Sequence, residues 1–142
     1  MKRAGFTMIE LIFVIVILGI LAAVAIPKLA ATRTDAEVSK AASDLATVIT
    51  DMGSYYTAQG AFANLSVMTN VIDFDSTAKG ATATDVAKFQ VGGVDCVSLT
   101  FSADTVTLAD IAAAGKPACL GLQTAASDLI VAHKFGGTGV TY

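Results

Sequence analysis

A chain of 142 residues has room for one domain, and its 54% apolar and 15% charged residues make it more apolar than a soluble domain of that size requires. The formal charge is −3, and discounting Lys2 and Arg3 leaves 7 basic against 12 acidic residues, a net of −5, so a basic nucleic-acid-binding face is not the default reading. Two cysteines with no further Cys or His near them supply no zinc quartet.

The chain opens on Met1-Lys2-Arg3-Ala4-Gly5 and then turns apolar, with Glu10 the single ionisable group between Phe6 and Ile26. As a helix this run covers about 31 Å, the thickness of a bilayer's hydrocarbon core. Three readings compete. A secretory signal accounts for Lys2 and Arg3, for the apolar centre Leu11 to Leu21 and for the small residues Ala23-Val24-Ala25, after which cleavage would leave a chain starting at Ile26. A plain membrane anchor accounts for the length. Both leave Glu10 unexplained, because a carboxylate at the edge of an apolar segment is costly in lipid and needs a reason.

The third reading rests on Gly5-Phe6-Thr7-Met8-Ile9-Glu10-Leu11-Ile12, which resembles the processing motif of type IV prepilins with short leaders. A small basic leader ends in Gly5, Phe6 follows, Glu10 is the fifth residue after Gly5, and Pro27 closes the apolar run. The resemblance implies cleavage between Gly5 and Phe6 by a dedicated membrane peptidase, which then methylates the Phe6 amine. Such a cut removes Lys2 and Arg3 and creates a cation one turn from Glu10. A neighbouring subunit's Phe6 amine would then satisfy Glu10 and set the axial register, which makes Phe6 and Glu10 the assembly residues. Lys2 and Arg3 on one side and Lys28 and Arg33 on the other leave the positive-inside rule nearly tied. A cytoplasmic leader and periplasmic body follow from the resemblance.

Gly19 and Pro27 interrupt the apolar half. They read as a mild kink in a membrane helix, or, on the resemblance, as the stretch that unwinds in an assembled filament. Beyond Pro27 the pattern becomes amphipathic, with Val38, Ala41, Leu45, Val48, Met52 and Tyr55 at spacings of three and four. Asp35, Glu37, Lys40, Asp44 and Asp51 read as a solvated face. The helix is expected to run from Phe6 to Gln59 and stop at Gly60.

Residues 60–142 are too few and too rich in loops for a core of their own, so a head is expected that borrows the helical stripe. Ala61 to Ala87 reads as a connection with a short helix over Leu65 to Val71. Val94 to Phe101 and Thr105 to Ala109 read as a hairpin turning at Ser102-Ala103-Asp104. Ala112 to Pro117 is turn-like and Cys119 to Ser127 is ambiguous between loop and helix. Leu129 to Phe135 reads as a strand, Gly136 to Gly139 as a turn, and Val140 to Tyr142 as a terminal strand. The fold class is therefore α+β: a long N-terminal helix, hydrophobic then amphipathic, packed on a small antiparallel sheet. Its divisions are 1–5 leader, 6–27 membrane and filament-core helix, 28–59 amphipathic half, and 60–142 head.

Cys96 and Cys119 read most economically as one disulfide if this part lies outside the cytosol, where the closed loop is worth about 3 kcal/mol. In a cytosolic domain they would be two buried thiols. No nucleophile with a base, metal cluster or phosphate cradle assembles from the sequence, so no catalytic residue, metal or cofactor is expected. His133 reads as a core or surface residue of a strand, and Gly136 to Gly139 lacks the lysine of a phosphate loop. Asn64-Leu65-Ser66 fits the minimal glycosylation sequon, which arises often by chance. Asp73 and Asp75 read as loop acids rather than calcium ligands.

The expected function is a structural one: a type IV pilus subunit, held in the inner membrane as a precursor and polymerised with copies of itself into an extracellular filament, with the prepilin peptidase and assembly machinery as partners. A type II secretion pseudopilin is the alternative within that class. The Cys96 and Cys119 pair, similar to the disulfide-bounded loop of many pilins, favours the pilus. The alternative of another class is a secreted or periplasmic binding domain cleaved after Ala25.

Overall fold

The computed structural model describes residues 5–75, 86–112 and 115–137. It divides into two compact units, Met1–Thr34 and Asp35–Tyr142. One helix, α1 (Met8–Gln59), contributes its first part to one unit and its second part to the other.

In the first unit α1 carries an 18-residue window of mean hydropathy 3.1 and is long and apolar enough to cross a membrane. None of that window is buried: Phe13 is 66% and Leu21 60% exposed. The helix is continuous through Gly19 and Pro27. It starts two residues later than the periodicity predicts, at Met8, because Thr7 caps it.

In the second unit α1 buries Ala41, Leu45, Val48, Met52 and Tyr56. Spacings of three and four put these five on one stripe, each large member contributing about 1.5–3 kcal/mol on burial. Tyr56, not Tyr55, is the last buried residue, and it packs its ring 4.8 Å from that of Phe62. The helix ends where Gly60 takes φ 71° and donates its N–H to the Tyr56 carbonyl at 2.8 Å, a left-handed cap that costs glycine little. A single turn follows, α2 (Leu65–Met68), shorter than the helix predicted to reach Val71. It ends early because the Thr69 hydroxyl bonds Asp51 of α1 at 2.8 Å and accepts the Val71 N–H at 3.2 Å.

The sheet has four antiparallel strands in sequence order: β1 (Val86–Val91), β2 (Val94–Phe101), β3 (Thr105–Asp110) and β4 (Ala132–Lys134). The β2–β3 hairpin is the predicted one, with Leu99 opposite Leu108 and Phe101 opposite Val106. The stretch through Ala87 is not all connection, however. β1 begins at Val86 and joins β2 through Gly92 and Gly93, both at positive φ, as a two-residue hairpin turn of matching twist requires. Its inward residues Ala87, Phe89 and Val91 face the same core as Val97, Leu99, Phe101, Val106 and Leu108, against the α1 stripe. Residues 73–75 cover the outer edge of β1, with Phe74 bridging Phe89 and the Gln90 N–H donating to the Asp73 carbonyl at 2.7 Å.

The ambiguous stretch Cys119 to Ser127 is mostly a helix, α3 (Pro117–Ala125), which begins on the proline that the sequence places at the end of a turn. Gln123 Nε2 donates to the carbonyls of Cys96 and Ile111, both at 2.9 Å, tying α3 to the sheet. The predicted strand over Leu129 to Phe135 shrinks to β4, because residues 126–131 continue from α3 as turns and pack Leu129 and Ile130 on the core. The expected terminal strand Val140 to Tyr142, and the end of the Gly136 to Gly139 turn, lie outside the described residues.

Candidate functional site

The start of α1 carries the least ordinary chemistry of the described chain, an acid on an exposed apolar surface. Gly5 and Phe6 precede the helix, so the peptide between them lies in non-helical backbone, and Phe6 is 87% exposed. Thr7 and Glu10 form a capping box. The Thr7 N–H and hydroxyl both donate to Glu10 Oε2, at 2.8 and 2.6 Å, and the Glu10 N–H reaches back to Thr7 Oγ1 at 3.4 Å. Glu10 therefore does two things. It satisfies a backbone donor at the helix start, and it places its negative charge at the positive end of the helix dipole.

Thr7 is a capping residue that sequence reasoning passed over, although the signal was present: threonine followed three residues later by glutamate ahead of an apolar run. Glu10 lies with Phe6, Ile9, Phe13 and Val14 around one notch of the helix surface. Gly19 has open space around it and Pro27 sits inside the helix.

Cys96 and Cys119 are joined by a disulfide, with Cα atoms 5.2 Å apart and both residues fully buried. The bond ties α3 to β2, beside the Gln123 hydrogen bonds. Neither cysteine lies in the unit that holds Glu10.

Other residues singled out in the sequence have structural partners. His133 Nε2 lies 2.8 Å from the Leu129 carbonyl, and its ring stacks on Phe135. Asp73 is paired with Lys40, which also bonds Asp44 at 2.7 Å. These two carboxylates hold the Lys40 ammonium charged well above the ordinary lysine range, the Asp44 hydrogen bond first. Asp75 donates its N–H to the Lys88 carbonyl at 3.0 Å. Asn64 heads α2 without a side-chain capping bond. A groove of about 530 Å³ runs between α1 and residues 70–73, lined by Lys40, Asp44, Asp51 and Asp73, and no nucleophile–base pair meets there. Among the described residues no three His, Cys, Asp or Glu side chains converge as metal ligands.

Two basic residues, Lys2 and Arg3, a non-helical Gly5–Phe6 junction and a capped, exposed apolar helix with one acid in its first turn coincide with a match of residues 1–26 to the family model described as the prokaryotic N-terminal methylation motif. The N-terminus is a pilin-type methylation motif. The chain is also similar to the type II secretion system core protein G of Dickeya chrysanthemi, 37% identical over 54 residues. That stretch is 38% of this chain and 35% of the relative, so the chain spans about a third of the curated protein it matches. No solved structure matches.

Proposed function

We propose that the chain is a structural subunit of a type IV pilus. On this reading it is inserted in the inner membrane as a precursor, cut between Gly5 and Phe6, methylated on the new Phe6 amine, and polymerised through residues 6–27 into a surface filament. The observation that carries the reading is the exposed apolar face at the start of α1, with Glu10 as its one acid, inside the methylation motif. Such a face is stable in lipid or against copies of itself and not in water. In filaments, residues 6–27 form the core, Gly19 and Pro27 allow the helix to stretch, and the head faces outward.

A second reading, a pseudopilin of a secretion system, is favoured by the likeness to core protein G. The disulfide between β2 and α3 favours the pilus, through the resemblance to pilin C-terminal loops. A single measurement tests what the two readings share: the N-terminus and intact mass of protein purified from its natural host. The expected product begins at methylated Phe6, and an unmodified chain beginning at Ile26 would refute both. Electron microscopy of cells labelled against the head then separates them. Long surface filaments support the pilus, whereas their absence together with a secretion defect on deletion supports the pseudopilin.

A further inference from the structure

The peptide between Gly5 and Phe6 lies in non-helical backbone just before α1. The next peptide along the chain, between Phe6 and Thr7, is held: its N–H, that of Thr7, donates to Glu10 Oε2 at 2.8 Å. The Thr7 hydroxyl donates to the same oxygen at 2.6 Å and accepts the Glu10 N–H at 3.4 Å, while the Thr7 carbonyl accepts the Leu11 N–H at 3.2 Å. Thr7 is thus bonded through its N–H, its hydroxyl and its carbonyl. Because peptide planes are rigid, only φ and ψ of Phe6 separate the Gly5–Phe6 peptide from that anchored plane.

We propose that Thr7 is a positioning residue for the cut between Gly5 and Phe6: by capping α1 it ends the helix short of the junction and holds the Gly5–Phe6 peptide in a direction a membrane peptidase can engage. The inference rests on the reading of the chain as a pilin-type precursor, whose motif covers residues 1–26. Hydrolysis there adds water across the amide, breaks its C–N bond and leaves a carboxylate on Gly5 and an amine on Phe6. A hydrolase must reach the carbonyl carbon, and within a helix the carbonyl is already bonded and the chain is too tightly wound to lie along a cleft. Phe6 is 87% exposed and a Cβ added at Gly5 would meet nothing within 4 Å, so both flanks of the bond are open.

Apolar periodicity alone carries the helix back to Phe6, so its start at Met8 is set by the cap. Without the Thr7 hydroxyl the first turn frays and the Gly5–Phe6 peptide samples many directions. Fewer encounters with the peptidase then have a productive geometry. The cap therefore sets the rate of cleavage and not its extent, and a cell given time processes a slow variant to completion.

The test measures initial rates of cleavage of the full chain in detergent micelles, by membranes containing the host's peptidase, for wild type, Thr7→Ser, Thr7→Asn, Thr7→Val and Thr7→Ala. Valine keeps the shape of threonine without a capping oxygen, whereas asparagine changes the shape and keeps the oxygen. Thr7→Ser and Thr7→Asn are expected within about 2-fold of wild type in kcat/KM, and Thr7→Val and Thr7→Ala about 5-fold lower. The denaturation midpoint of the head, a separate compact unit, should be the same in every chain. Equal rates throughout, or a fast Thr7→Val beside a slow Thr7→Asn, would overturn the proposal. A wild-type chain that is not cut between Gly5 and Phe6 would instead remove the reading on which it rests.

Discussion

Thr7 and Glu10 form one capping box in the single chain, and in the proposed filament Glu10 would take a second role. In the single chain the capping box keeps Glu10 hydrogen-bonded at the helix start. In the proposed filament the same carboxylate would meet a neighbouring copy's Phe6 amine. Glu10→Ala is therefore expected to insert, to be cleaved and to fold its head normally, yet to accumulate as processed protein in the membrane without filaments. Normal filament counts from the mutant alone would exclude the pairing role. Thr7→Val keeps the shape but loses the cap, and amide exchange at Met8 to Leu11 in detergent micelles should quicken while the head stays protected. Unchanged exchange would show that the cap contributes nothing to the helix start.

A second residue-scale contact fixes α3. A Cβ added at Gly121 would lie 2.7 Å from Val38 Cγ2, and the β-branched valine has little freedom to move. Gly121→Ala should destabilise the head by about 1–3 kcal/mol in denaturant unfolding, and adding Val38→Ala should recover part of that loss. Equal losses in the single and double mutants would mean that the two residues do not press on each other.

At the scale of elements, α1 and the sheet exchange apolar surface through a few fully buried side chains. Leu45 and Leu99 are both 0% exposed. Leu45→Ala is expected to cost about 2–5 kcal/mol of head stability, since the rigid sheet opposite cannot collapse into the vacated space. α3 is anchored twice, by the Cys96–Cys119 bond and by Gln123. Replacing both cysteines by alanine should lower unfolding stability by about 3 kcal/mol without changing the strand content seen by circular dichroism. Loss of strand signal would show that the disulfide, and not Gln123, holds this corner of the sheet.

Across the whole molecule the charges set a pH window for the head. Gln90 first, and Lys88 after it, hold Asp95 below its ordinary 3.8, and Thr105, with Lys134 behind it, does the same for Asp104. Groups lowered in this way add stability that is present above the ordinary carboxylate range and is lost as pH falls through their folded values. Lys40 is raised, so its contribution is present below its ordinary 10.5 and is lost only as pH rises through the higher folded value. All three lie at the surface, so the effects are small and salt-sensitive. The denaturation midpoint should be flat from about pH 5 to 9 and fall below about pH 4. A midpoint that moves between pH 6 and 8 would point to a group outside these three.

By itself the sequence determined the parts that depend on near neighbours along the chain. The apolar run with its single acid, the amphipathic stripe from Ala41 to Met52 and the Val94 to Ala109 hairpin follow from local periodicity and turn residues, and they appear in the structure. Other features required partners distant in sequence. The alternation of Ala87, Phe89 and Val91 is short and starts on a small residue, and it gains meaning only once β2 pairs with it across Gly92-Gly93 and Phe74 closes its edge. α3 is short, from Pro117 to Ala125, and its place is fixed by Cys96, by the carbonyls of Cys96 and Ile111, and by Val38 against Gly121. Lys40 and Asp51, which periodicity assigns to a solvated face, are held by Asp73 and Thr69 from the loop beyond α2. Helical and hairpin patterns are written within a few residues, whereas strand pairing and the anchoring of loops depend on contacts that exist only after the chain has folded back on itself.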